Sequence, residues 1–279
     1  ILASELLGEL NVSHTGCRYR AYNSALSTAE LGALIDETYQ GAGIRLAETL
    51  PGGPLDTHSR IKPGAIITAI DGKTIEAGTD FWPLLAGKAG VLTRLTVKGI
   101  KEDILMRPIS SGAQNGLLYR RWVRRNTQLV DSLSGGKLAY VHIEAMNGES
   151  FHELYRTLLS DKNRQKDAAI VDTRHNGGGW LHDDLATLLS GKEYQRFVLE
   201  LGIGILVGGP VPGTMTAVWW ESVGSYVFGI PQVGSLDNRN QFLENQQLEP
   251  DIECYLSPTD LINGKDTQIE QAVKLMLNK

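Results

Sequence analysis

A chain of 279 residues, 42% hydrophobic and 21% charged, has an ordinary globular composition and enough length for two domains. Its net charge of −5 argues against a broad nucleic-acid-binding surface, and no apolar run is long enough to span a bilayer. Its two cysteines, Cys17 and Cys254, are too few for a disulfide framework and lack metal-ligand spacing.

The chain opens on Ile1 with neither Met nor a signal peptide, so it reads as the carboxy-terminal part of something longer or as a trimmed form. Ile1, Leu2, Leu6, Leu7 and Leu10 fall close to helical spacing, and "NVSHTG" (11–16) breaks that helix. A second helix is predicted over 28–37, with Thr28 as its cap. From Gly41 the pattern changes to strands. "GAGIRLAE" reads as a strand opened by glycines, and "RIKPGAIITAIDGKTI" as a Pro-Gly turn, an apolar strand and an Asp-Gly turn. "TDFWPLLAGKAG" predicts a short helix, while "VLTRLTVKG" and "EDILMRPI" alternate as antiparallel strands.

Beyond Pro108 the pattern becomes α/β. A helix near 117–132 contains the basic run "RRWVRR", which reads as the solvated face of an amphipathic helix rather than a phosphate site. Strand 137–143, a helix with Ser150 as cap and Glu153 as capping-box partner, and strand "AAIVDTR" make a βαβ unit and therefore neighbouring parallel strands. Helix 181–190 follows, then "GIGILVGG", "AVWW", "YVFGIPQVG", "LEPDIECYL" and a last helix from about Asp266 to Leu277. The expected fold class is α+β and α/β, divided into 1–38, 39–108 and 109–279.

"VDTRHNGGGW" (171–180) concentrates the chemistry. Three glycines sit where a strand ends and a helix begins, the place where parallel sheets bind ligands and where bare N–H groups can stabilise an oxyanion. A plain sharp turn explains the same glycines. His175, His182, Asp183 and Asp184 supply no closed metal-ligand set and read as helix-end polarity.

Several stretches together, in one order, carry a resemblance. "GAGIRLAE…IKPGAIITAIDGKTIEAG…LTV" resembles a PDZ domain. "YVHIEAMNGESFHELYRTL…AAIVDTRHNGGGW" resembles the core of the tail-specific (C-terminal processing) serine peptidases, and within them the tricorn group. "GELNVSHTG", "GIGILVGGPVPGT" and "LENQQLEPDIE…GKDTQIEQAV" extend the likeness over nearly the whole chain. The resemblance implies a PDZ-like β domain inserted before an α/β sandwich protease core, preceded by a helical segment. It also implies hydrolysis of extended or unfolded polypeptides by a Ser-His-Ser-Glu tetrad.

Carried onto this sequence, Ser13 and His14 match the Ser-His pair, Glu244 the acid, and Gly179 half of the oxyanion hole, with Gly178 as its neighbour. His14 then serves as general base and acid, with Ser13 and Glu244 orienting its ring. Gly41, Ala42, Gly43 and Ile44 resemble a PDZ carboxylate-binding loop, although a spacer or gate role suits the domain equally. No metal or organic cofactor is needed. The implied partner is a peptide or unfolded chain, with no nucleic acid and no membrane span, and relatives often assemble as homo-oligomers. The S1 wall is expected around Arg196–Val198. Compartment stays open, because tricorn is cytosolic and tail-specific peptidases are usually periplasmic or secreted.

One departure is serious: no serine or cysteine lies between Ser190 and Ser222, where the family carries its nucleophile. Three accounts compete. The chain is an inactive peptide-binding or scaffold relative; or Ser222 or Ser225 substitutes; or a stretch carrying the serine is missing from this sequence near 198–202. The intact surrounding motifs favour the third, as does the cost of unpaired backbone left by a lost central strand. A Cα step well beyond about 3.8 Å between Val198 and Gly202 marks such a join. "GGPLDTHSR" and "WWESVGSY" are lesser candidates for joins of the same kind.

Overall fold

The structure, a computed structural model, describes residues 2–9, 15–19, 26–179, 181–190, 204–211, 213, 216–234, 236 and 240–278. In chain order these form α1 (Leu2–Gly8), β1 (Gly16–Tyr19), β2 (Ala33–Ile35), β3 (Ile44–Thr49), β4 (Ile66–Ile70), β5 (Lys73–Thr74), a 3-10 turn (Trp82–Leu85), β6 (Thr93–Val97) and β7 (Ile104–Met106). There follow α2 (Ser111–Ser134), β8 (Leu138–His142), α3 (Gly148–Leu158), β9 (Ala168–Asp172), α4 (His182–Ser190) and β10 (Val207–Gly208). The rest is β11 (Thr216–Val223), β12 (Tyr226–Gly234), β13 (Ile252–Glu253), α5 (Pro258–Ile262) and α6 (Thr267–Leu277).

The chain divides into a small unit, Ser24–Gln128, and a core unit made of Ile1–Asn23 with Leu129–Lys279. The expected boundaries at 38/39 and 108/109 therefore move. β1 pairs with β12 in the core unit, whereas Thr28 and Glu30 bridge to Ala86 and Ile109 in the small one. The second boundary falls inside α2.

The small unit is an antiparallel sheet in the order β2-β3-β4-β6-β7, with β5 beside β4. Its core gathers Ile44, Leu46, Ile67, Ile70, Leu95 and Ile104, the inward positions of alternating strands. The helix predicted over 28–37 is not formed. Ala29, Leu31 and Ala33 are all buried against the sheet core, and this packing overrides the capping signal at Thr28. Arg121 of α2 chelates Glu48 through Nε at 2.7 Å and Nη2 at 2.6 Å, so at least one member of the basic run is a structural ion pair. At "GGPLDTHSR" the chain folds as successive tight turns, in which Gly53, Asp56, His58 and Ile61 each donate to the carbonyl three residues back.

In the core unit β8 and β9 run parallel, in register from Leu138↔Ala168 to His142↔Asp172, with α3 as their crossover. That helix starts three residues earlier than expected. Asn147 is its cap, accepting from Ser150 N–H at 2.9 Å, while Ser150 Oγ accepts from Ala145 N–H at 3.3 Å. β10 and β13 form a second parallel pair, and β1, β12 and β11 an antiparallel sheet. Among the described residues no ladder joins the two parallel pairs; α6 packs against both β9 and β10. "WWESVGSY" forms a hairpin with a two-residue turn, Gly224-Ser225, closed by Val223 opposite Tyr226. The step from Val198 to Gly202 lies outside the described residues. Among those described, no helix is long and apolar enough to cross a membrane.

Candidate active site

Because β8 and β9 are parallel and in register, their carboxyl ends stop side by side, and the loops leaving them must meet. The two loops are tied together bond by bond. Ile143 N–H donates to Asp172 O at 2.9 Å, Gly177 N–H to Glu144 O at 3.0 Å, and Met146 N–H to Gly178 O at 2.8 Å. Asn176 lies between them, its Nδ2 donating to Ile143 O at 2.8 Å and its Oδ1 accepting from Gly178 N–H at 2.7 Å.

Gly179 is different. Its φ is 129°, a region that side chains rarely adopt, and an added Cβ would sit 2.3 Å from Met146 O. It bridges Met146 in parallel, yet no hydrogen bond among the described residues engages its own N–H. Gly178, at φ 82°, has open space beside it, and its N–H is already committed to Asn176. Of the three glycine amides, only that of Gly179 is unengaged among the described residues.

Beneath the loop lies a charged network. Asp172 is buried at the end of β9 and accepts from Tyr140 Oη at 2.8 Å and from Arg174 Nη2 at 2.6 Å. Arg174 Nη1 reaches both carboxylate oxygens of Asp266, at 3.0 and 2.9 Å, and Gln268 Oε1 at 3.3 Å. Arg174 O accepts from His142 Nε2 at 2.7 Å. Burial pushes the Asp172 carboxyl up, but the hydrogen bonds and charge of Arg174 outweigh it and hold the group below its ordinary value. Burial works the same way against the Arg174 guanidinium, and its two carboxylate partners reverse it, so this residue stays charged. Sequence reasoning missed Tyr140, Asp172, Arg174 and Asn176 as a set. The available signal was "D-x-R-x-N" immediately before the glycines.

Of the other expected residues, Ser13 and His14 lie outside the described residues, between α1 and β1 in the chain. The suggested S1 wall, Arg196–Val198, lies outside them too. Glu244 is half-buried in a turn of the core unit. That turn is pinned by Asn245 N–H to Gly213 O at 2.8 Å and by paired bonds between Val211 and Leu248, both 2.9 Å. Ser222 and Ser225 are exposed on the β11–β12 hairpin, with no helix starting after them, unlike a nucleophile at a strand-to-helix junction. No group of three or more His, Cys, Asp or Glu that could hold a metal occurs among the described residues.

In the small unit, Gly43 at φ 92° donates its N–H to Ile75 O at 2.9 Å, and Tyr39 Oη donates to Ala42 O at 3.2 Å. The adjoining cavity of ≈ 300 Å³ is rimmed by Asp36, Glu37 and Glu76, and its Arg45 is already paired with Asp36 at 2.6 Å.

Residues 137–200 match the family model described as Peptidase family S41. The matched stretch contains β8, α3, β9, the glycine loop and α4. Along its whole length the chain is 26% identical to a tricorn-like protease C-terminal subunit of Sulfurisphaera tokodaii, and it spans 38% of that relative. It is also 26% identical to the tricorn protease of Thermoplasma acidophilum, over 77% of this chain and 24% of that one. The crystal structure of the tricorn protease shares the fold, with a TM-score of 0.82 and 22% identity over 97% of this chain and 31% of the other. The alignment to the Sulfurisphaera relative runs over 337 positions, more than the 279 residues here, so that relative has residues with no counterpart in this sequence.

Proposed function

We propose that this chain is the catalytic part of a tricorn-like serine peptidase that hydrolyses extended or unfolded polypeptides, with a PDZ-like small unit. The observation that carries the reading is the Gly179 amide: unengaged among the described residues, fixed by a conformation only glycine holds easily, and standing at the end of a parallel strand in an S41 segment. In this reading that amide stabilises the oxyanion of the tetrahedral intermediate. His14 takes the proton from the nucleophilic serine and returns it to the leaving amine, while Ser13 and Glu244 orient and polarise the ring. The nucleophile belongs to a stretch that this sequence lacks near 198–202, in keeping with the longer alignment to the Sulfurisphaera relative.

The reading is tested by peptide turnover of the native full-length protein. His14→Ala is expected to lower kcat by about 10³-fold or more, and Glu244→Gln to lower it less. Turnover unchanged in His14→Ala would overturn it. The absence of serine and cysteine between Ser190 and Ser222 then supports the second reading, an inactive peptide-binding relative.

A further inference from the structure

Arg174 does more than neutralise Asp172. One face of its guanidinium holds the end of β9, and the other takes a carboxylate 92 residues further along the chain. That same Asp266 caps α6, accepting from Ile269 N–H at 3.1 Å. Gln268, the third acceptor, uses its Nε2 to donate to Cys254 O at 2.7 Å, directly after β13. β13 is the partner of β10, and the chain just beyond β10 holds the turn that carries Glu244. One side chain therefore bridges the glycine loop, the last helix and the strand pair from which the expected acid hangs.

We infer that Arg174 is a positioning residue through which α6 and the β10–β13 pair fix the placement of the glycine loop. The link to the loop is short. Arg174 O is held by His142, the next residue stands at φ 59°, and Asn176 then clamps Gly178. A guanidinium suits this task because its planar fork binds two carboxylates at once, which a lysine ammonium does with far less directional control. As a contribution to catalysis, the inference rests on the peptidase reading given above.

The test combines amide hydrogen exchange with steady-state kinetics on the native full-length protein, using Arg174→Lys and Asp266→Asn. The asparagine keeps a side-chain oxygen for Ile269 N–H, so the helix cap survives should the lysine variant fail to fold. Exchange at Gly177, Gly178 and Met146, whose amides tie the two loops together, is expected to rise by about 10-fold. kcat is expected to fall by about 10- to 100-fold while KM stays within about twofold, because a misplaced loop harms the transition state more than substrate binding. Unchanged exchange at these three amides in the variant that folds overturns the inference, as does unchanged kcat in an active enzyme. If the unsubstituted protein turns over no peptide, the peptidase reading fails by itself, and exchange alone decides whether α6 positions the loop.

Discussion

Gly179→Ala is expected to lower kcat by about 10²-fold or more and to destabilise the core unit by about 2 kcal/mol. Two independent costs coincide at this position. The backbone at φ 129° suits an L side chain poorly, and the new methyl carbon would lie 2.3 Å from Met146 O and 3.1 Å from Met146 Cβ. The first contact is with backbone, which has no rotamer to escape into. Relief requires moving either the loop after β8 or the loop after β9, and either shift carries the Gly179 amide off its line. Gly178→Ala makes the contrast. Nothing lies within 4 Å of its added Cβ, so its cost is the left-handed backbone alone, about 1 kcal/mol. Urea denaturation together with kcat and KM for both variants measures the difference. Equal losses in the two would show that steric crowding against Met146 is not what demands glycine at 179.

Asp172→Ala is expected to cost about 3–5 kcal/mol, a larger loss of stability than Gly179→Ala. It removes one of the two carboxylates that neutralise a half-buried guanidinium, together with an acceptor of the Tyr140 hydroxyl, inside a largely buried network. The same group sets an acid limit on the core unit. Its folded carboxyl titrates below the ordinary 3.8. The stabilisation is therefore complete above that ordinary value and fades as pH falls through the lower, folded one. Denaturation midpoints of the unsubstituted protein should hold near pH 7 and drop below about pH 4. Asp172→Asn, which does not titrate, should start lower and show a shallower fall over that acid window. A variant as acid-sensitive as the parent would place the titrating group elsewhere.

Much of the framework was legible from pattern. The βαβ unit followed from the apolar runs at 137–143 and 168–172 around an amphipathic helix, and the two strands pair in parallel, as a helical crossover between them requires. The small β unit was legible from the Pro-Gly and Asp-Gly turns. Local competition defeated the finer readings. At 28–37 a plausible cap and good helix formers lost to the burial of Ala29, Leu31 and Ala33 in the sheet core, which only tertiary packing reveals. At α3 the box around Ser150 lost to Asn147, a stronger cap three residues earlier. The glycine loop was recognisable as a site from its three glycines. Their division of labour was not, because it depends on what Met146, Glu144 and Asn176 bring from outside the motif. The Arg174–Asp266 tie was also out of reach, since 92 residues separate its partners and neither sits in a spacing that signals the other.

The most direct measurement is covalent labelling of the native full-length protein with a fluorophosphonate, followed by mapping of the modified residue. A serine whose hydroxyl proton is taken by the imidazole at 14, and which faces the Gly179 amide, should displace fluoride and be phosphonylated by one equivalent, at a single residue between those numbered 190 and 204 in this sequence, and the label should vanish in His14→Ala. No label at all, or a label on Ser222 or Ser225 that persists without His14, would contradict a hydrolytic centre built on the glycine loop.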